Sequence, residues 1–279
     1  MKKETVSPTE LAEYLKKIMP QAHGHQLKAL TKFVLAIIAK QTGNQADLAR
    51  GQGNQEAATK QLSRLLHNPR LKPKDLAEGI CHQALAQVPK TGPVRVTLDW
   101  TTEDQQHLLV LSLVVGRRAL PIYWRAYRQD VLKGRLKRYE RAVIKRAFHL
   151  LWQHVAPHRI RLTADRGFPD HELFTLLEEL HLNFVLRVKS NVKVCYAGRW
   201  VKLNTLGFPG NARQRNLGRL AYCEQAPHQL WVTMSRARKK KGKLETWYLV
   251  SNQPLRAQRA AREDAHRFGC EAGFRDAKW

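Results

Sequence analysis

Acid is what this sequence has least of. Only 23 Asp and Glu stand against 49 Lys and Arg in 279 residues, a formal net charge of +26. A surface of that sign favours a polyanion, so nucleic acid is a better-matched partner than a small neutral metabolite. Ribosomal or membrane-surface binding would carry the same charge. Cysteine is also sparse. Cys81, Cys195, Cys223 and Cys270 form no Cys-x2-Cys pair, which excludes a disulfide framework, argues against zinc and suits a reducing cytoplasm. His154 and His158 are four apart, but Pro157 between them breaks a helical metal pair, and both read as surface histidines. Long apolar runs are missing too. FVLAIIA at 33–39 lies between Lys32 and Lys40 and falls far short of the roughly 20 residues of a membrane span. MKKETVSPTELAEYL at the start has no apolar signal core, so a soluble chain with no membrane partner is expected.

A hydrophobic content of 43% is enough for a real core, as one large domain or two ordinary ones. Ser7, Pro8 and Glu10 form a capping box for a helix running to about Met19. Further helical patterns cover 24–41, 45–51, 54–67 and 74–87. Residues 1–90 are therefore expected as a helical domain. Within it, 45–67 suits a helix-turn-helix-like pair that would offer Gln55, Lys60, Gln61 and Arg64 to a groove.

From Pro93 the period changes from helical to alternating. Strands are expected at 94–101, 107–115 and 119–127 as an antiparallel meander, then a helix at 136–155, a strand ending at Asp165, a helix at 170–180 and a strand at 183–189. That succession is the ribonuclease-H-like order, an α/β class. Residues 190–253 read as a β-rich insertion, with SRARKKKGK at 235–243 as a basic hairpin tip whose Lys239, Lys240 and Lys241 could grip phosphates. Ser251 or Asn252 is expected to cap a final helix, with Pro254 in its first turn.

The few acids are placed pointedly. Val94, Val96 and Leu98 alternate with Arg95, Thr97 and Asp99; Ile160, Leu162 and Ala164 alternate with Arg161, Thr163 and Asp165, and Gly167 then breaks the strand. On a helix over 259–279, Arg267, Glu271 and Lys278 fall within about 40° of one another, with Asp264 and Phe274 beside them. A lone Asp after a strand is usually a turn residue. Three such acids in so basic a chain point to a shared site.

LDWT at 98–101, ADRGF at 164–168 and R-x3-E-x6-K at 267–278, in that order, resemble the DDE insertion-sequence transposases. The match is to the insertion-sequence-four-like subgroup, which carries a Y-x2-R-x3-E-x6-K signature on its last catalytic helix. The signature's Tyr position holds Asp264 here. The resemblance implies a ribonuclease-H-like catalytic core over 91–189 and 254–279, interrupted by the β-rich insertion at 190–253 and preceded by a helical DNA-binding domain at 1–90.

Three converging carboxylates call for hard divalent cations, with Mg²⁺ favoured and Mn²⁺ able to substitute, and two such ions would serve phosphodiester chemistry. By resemblance, Asp99 bridges both metals, Asp165 and Glu271 each hold one, Arg267 and Lys278 hold DNA phosphate, and Trp247 stacks on a flipped base. The implied activity is cut-and-paste transposition in the bacterial cytoplasm, at the nucleoid, by a protein that dimerises on double-stranded transposon-end and target DNA. Two alternatives stand beside it: a stand-alone metal nuclease and a DNA-binding remnant. The remnant is suggested by the end at Trp279, one residue past Lys278, where family members continue; binding with poor cleavage is the matching expectation.

Overall fold

Ser7 and Glu10 cap one another: the Glu10 N–H donates to Ser7 Oγ at 3.2 Å and the Ser7 N–H to Glu10 Oε2 at 3.1 Å. This starts α1 (Pro8–Ile18), as the sequence predicts. The computed structural model describes residues 6–116, 118–238 and 244–269, which fall into two compact units, one up to Ala86 and one from Gln87.

The first unit is helical: α1, α2 (Gly24–Lys40), α3 (Gln45–Ala49), α4 (Gln55–Leu66) and α5 (Pro73–Leu85). Asn44 and Asn54 cap α3 and α4 with their side-chain oxygens. The turn between those two helices places Gly51 and Gly53 at φ 78° and 83°, where a β-carbon would be strained. Leu11, Leu15, Ile18 and Leu27 bury one core, and Phe33, Leu48, Leu62 and Leu65 a second. At the crossing of α1 and α5, a β-carbon on Gly79 would sit 1.9 Å from the Ile18 carbonyl oxygen, so only glycine permits this approach.

The second unit is α/β. A meander of β1 (Val94–Glu103), β2 (Gln106–Val115) and β3 (Arg118–Arg128) leads into α6 (Gln129–Leu132), α7 (Leu136–Trp152), β4 (Ile160–Ala164), α8 (His171–Glu179) and β5 (Asn183–Val188). Then come β6 (Lys193–Tyr196), β7 (Arg199–Lys202), β8 (Gln214–Tyr222), β9 (His228–Arg238), β10 (Leu244–Ser251) and α9 (Ala257–Ala265). All ten strands join one sheet in the order β3-β2-β1-β4-β5-β10-β9-β8-β6-β7. Only β1–β4 and β4–β5 are parallel; the remaining pairs are antiparallel. Residues 190–253 therefore continue the sheet, because β10 pairs with β5 from Tyr248↔Val188 to Ser251↔Val185. α7 buries Val143, Ile144, Ala147, Phe148 and Leu151 on the face that carries Val94, Val96 and Leu98. α9 covers the opposite face.

The start of α9 corrects the sequence reading. It begins at Ala257, not around Pro254, and neither Ser251 nor Asn252 caps it. Ser251 Oγ is occupied by the Gln253 N–H, and Asn252 bridges Phe184 N–H and the Leu182 carbonyl. The cap comes from β8: Asn216 Oδ1 accepts the Ala257 N–H at 2.7 Å. The helix expected over 259–279 is interrupted after Ala265: His266 and Arg267 form a turn, donating to carbonyls three residues back, and helix resumes at Phe268, so the even 100° spacing is broken at this turn; residues 270–279 lie outside the described residues.

Candidate active site

β1 and β4 run parallel with Arg95 opposite Arg161, Thr97 opposite Thr163 and Leu98 opposite Ala164. Asp99 and Asp165 each follow one residue after that last rung. Asp99 thus lies within β1, which pairs with β2 as far as Glu103, and not at the strand end expected from the sequence, whereas Asp165 lies just past the end of β4; the two neighbouring backbones are about 4.8 Å apart. Asp99 is half-buried, its Oδ1 accepting the Trp100 N–H at 2.9 Å and its Oδ2 lying 3.4 Å from Arg267 Nη1. Asp165 closes a turn through its carbonyl, which accepts the Phe168 N–H at 3.0 Å.

The face beneath α9 is lined by strand arginines, and α9 supplies the acids that meet them. Glu263, 3% exposed, lies across the Arg95–Arg161 rung: Arg95 donates Nε to Oε2 at 2.7 Å and Nη2 to Oε1 at 3.0 Å, and Arg161 Nη1 reaches Oε1 at 2.8 Å. Burial pushes the Glu263 carboxyl up, but hydrogen bonds and charge from Arg95 and Arg161 outweigh it and hold the group below its usual range. Asp264, fully buried, pairs with Arg187 of β5. Here burial outweighs the arginine's pull, Asp165 adds like charge, and the carboxyl is held above the usual Asp range. The residue that replaces the signature's Tyr is thus an internal ion-pair partner.

Arg267 is also buried, at 4% exposure. It is the one expected site residue on the last helix that falls among the described residues, and it reaches Asp99 from there. Arg187 lies over the Trp247 ring at 4.0 Å and 5.6 Å from the Phe268 ring centre, while Arg267 stands 4.8 Å over Phe268. Trp247, half-buried on β10, sits 5.8 Å from Phe268 between ring centres. Its ring is a platform for an internal arginine.

The opposite sheet face buttresses both aspartates from α7. Trp100, next to Asp99, donates its indole N–H to buried Glu140 at 2.9 Å. Lys137 meets Glu140 Oε2 at 2.9 Å and donates to the Gly167 and Phe168 carbonyls at 2.6 and 3.1 Å, in the turn that Asp165 opens. Its ammonium thus holds the turn with two hydrogen bonds and also faces Asp170 Oδ2 at 3.6 Å. Arg141 pairs with Asp170, whose Oδ1 caps α8 by accepting the Leu173 N–H at 2.8 Å.

Several expected site residues lie elsewhere. Lys60 and Arg64 are exposed on α4 in the other unit, Lys60 at 2.6 Å from Glu56. Glu271, Lys278, Lys239, Lys240 and Lys241 lie outside the described residues. Among the described residues no group of three His, Cys, Asp or Glu side chains is arranged to hold a metal ion. Asp99 and Asp165 supply two adjacent hard oxygen donors, the right chemistry for a divalent cation but an incomplete set. Sequence reasoning did not single out Glu263, Arg187, Glu140 or Lys137. The available signal was Arg95, Arg161 and Arg187 at period-two positions on strands that a helix must cover, since a covered arginine requires an acid.

Among the described residues no helix is long and apolar enough to cross a membrane. No family model matches the chain, and no curated protein does. Among solved structures it is similar to Marinitoga piezophila Argonaute, in complex with 5′-OH guide RNA, at 9% identity and a TM-score of 0.36. That alignment covers 91% of this chain and 46% of the Argonaute, so this chain spans less than half of that protein's length.

Proposed function

We propose that the protein is a DNA transposase of the DDE type, which cuts the ends of an insertion sequence and joins them to target DNA through metal-dependent phosphoryl transfer. The observation that carries this reading is that Asp99 and Asp165 each follow directly after the last paired rung, Leu98–Ala164, of adjacent parallel strands. The β3-β2-β1-β4-β5 half of the sheet, with its antiparallel meander and parallel pair, supports a ribonuclease-H-like core. The charge of +26 supports double-stranded DNA as the partner.

Asp99 and Asp165 would supply hard oxygen donors, so the pair fits a Mg²⁺ or Mn²⁺ ion, with Glu271 as the third ligand. Such ions, when bound, activate a water or 3′-hydroxyl and stabilise the leaving oxygen. The chain's own side chains prepare the site. The Trp100 N–H and Arg267 orient the two oxygens of Asp99, and Lys137 fixes the turn behind Asp165. By the resemblance to the DDE transposases, Arg267 and Lys278 would hold a scissile phosphate. Trp247 has Arg187 over its ring, so a flipped base would stack on the ring's other side. In the helical unit, α3 and α4 would bind DNA through Lys60 and Arg64, and the protein would act as a dimer at the nucleoid.

The test is a cleavage and strand-transfer assay with Mg²⁺ on DNA bearing the element's ends, comparing the parent chain with Asp99→Asn and Asp165→Asn. Cleavage and joining by the parent, lost in both variants, is the expected result. Cleavage without joining would identify a nuclease, and binding with neither would identify a DNA-binding remnant.

A further inference from the structure

Along one flank of α9, Arg256, Arg259 and Arg262 recur every three residues. Together with Arg95 and His266 they wall a cavity of about 520 Å³, whose one lining carboxylate, Glu263, is already engaged by Arg95 and Arg161. All three helix arginines are exposed, and none has an ion-pair partner among the described residues. The helix itself gains nothing from them. Like charges at this spacing cost a few tenths of a kcal/mol per pair. No acid occupies the first turn, and Arg256 stands at the N-cap, where the helix dipole disfavours a cation. An anion in the cavity would relieve both.

The cavity is not a closed pocket for one small anion. Arg262 and His266 also line a second cavity of about 380 Å³, which continues past Val114 and Gly116 to Gly269. The two form one groove along the helix. From Arg256 to Arg262 the rise is about 9 Å, two to three phosphates along one DNA strand at about 3.4 Å each. Its inner end, His266, adjoins Arg267, whose guanidinium reaches Asp99.

We propose that this groove is a second phosphodiester-binding track, holding the backbone of double-stranded DNA beside the Asp99–Asp165 site. The proposal rests on the reading of the protein as a DNA-processing enzyme, but its test needs neither metal nor cleavage. In the full chain, Arg256, Arg259 and Arg262 are all replaced by Gln. The control replaces Arg138, Lys145 and Arg146, three exposed cations of α7 on the opposite face of the sheet, by Gln. Binding of a fluorescent 30-base-pair duplex is measured across a salt series, and pyrophosphate binding by calorimetry. Thermal melting confirms that both variants fold.

The α9 variant should bind duplex at least ~10-fold more weakly and lower the slope of log affinity against log salt by about two to three, at about 0.9 per phosphate contact, with the α7 control changing much less. Equal losses in the two variants would reduce the groove to general surface charge and overturn the proposal. Lost pyrophosphate binding with an unchanged duplex slope would also overturn it, assigning the groove to a free oligophosphate. Duplex binding that depends on α9 in a chain that never cleaves would leave the track standing and remove only the catalytic reading.

Discussion

Asp264 on α9 is fully buried against Arg187 of β5, and this pair ties the last described helix to the strand next to the Asp165 strand. Removing one partner strands the other's charge in the interior. Asp264→Asn is expected to destabilise the second unit by about 3 to 5 kcal/mol, read as a lower urea midpoint. A loss below about 1 kcal/mol would mean that water reaches Arg187.

Acid should loosen α9 through Glu263. Its folded-state pKa lies below the ordinary value, so its stabilisation is complete above the usual Glu range of about 4.3 and is lost as pH falls through the lower folded value. Asp264 acts with the opposite sign: its raised pKa favours the fold on the acid side, and that contribution is lost as pH rises through the folded value. Urea midpoints of the parent should therefore drop more steeply below about pH 4 than those of Glu263→Gln, which starts lower at neutral pH. Parallel acid limbs in the two proteins would count against the Arg95–Glu263–Arg161 bridge.

Lys137→Met should release the turn behind Asp165. The change leaves the Gly167 and Phe168 carbonyls without their donor and removes the nearer of the two cations facing buried Glu140, Arg141 remaining at 3.7 Å. A stability loss of about 3 kcal/mol is expected, with faster amide exchange at Phe168, whose N–H closes the Asp165 turn. Unchanged exchange there would show that the turn holds itself.

In the helical unit, Gly79→Ala tests the crossing of α1 and α5. Alanine gains about 1 kcal/mol of helix propensity over glycine, yet the new β-carbon would meet backbone at 1.9 Å. Overpacking should win by about 1 to 3 kcal/mol, giving a lower melting temperature for a fragment or full chain that carries the change. A rise in melting temperature would show that the two helices can separate freely.

The aspartates were legible because alternation is local. Val94-x-Val96-x-Leu98 and Ile160-x-Leu162-x-Ala164 reveal their strands without any knowledge of the fold, although alternation did not show that β1 runs on past Asp99 to Glu103. The capping box at Ser7 and Glu10 was legible for the same reason. Glu263 and Asp264 were not, because an acid in a basic chain reads as solvated until something identifies the face it covers. That face is made by Arg95, Arg161 and Arg187, three arginines distant in sequence; strand pairing sets Arg95 beside Arg161 and brings Arg187 four residues further along the neighbouring strand. The cap of α9 was hidden likewise, since Asn216 belongs to another strand and nothing near Ala257 announces it.

The pairing of β10 with β5 sets a timetable for the chain as it is made. β1, β4 and β5 can assemble as soon as Val188 has emerged, yet the helix that neutralises their arginines follows β10 and arrives much later. In that interval one face of the young sheet displays Arg95, Arg161 and Arg187 with no acid opposite them, a repelling and water-hungry surface. Closure of the β8–β9–β10 meander onto β5 then delivers Glu263, Asp264 and Arg267 together. The site around Asp99 is therefore expected to mature in one late step, to be read as amide protection at Trp100 that lags behind that of the rest of β1 in a refolding pulse-labelling series, and a chain clipped before α9 would keep its aspartates while losing the arginine that aims the first of them.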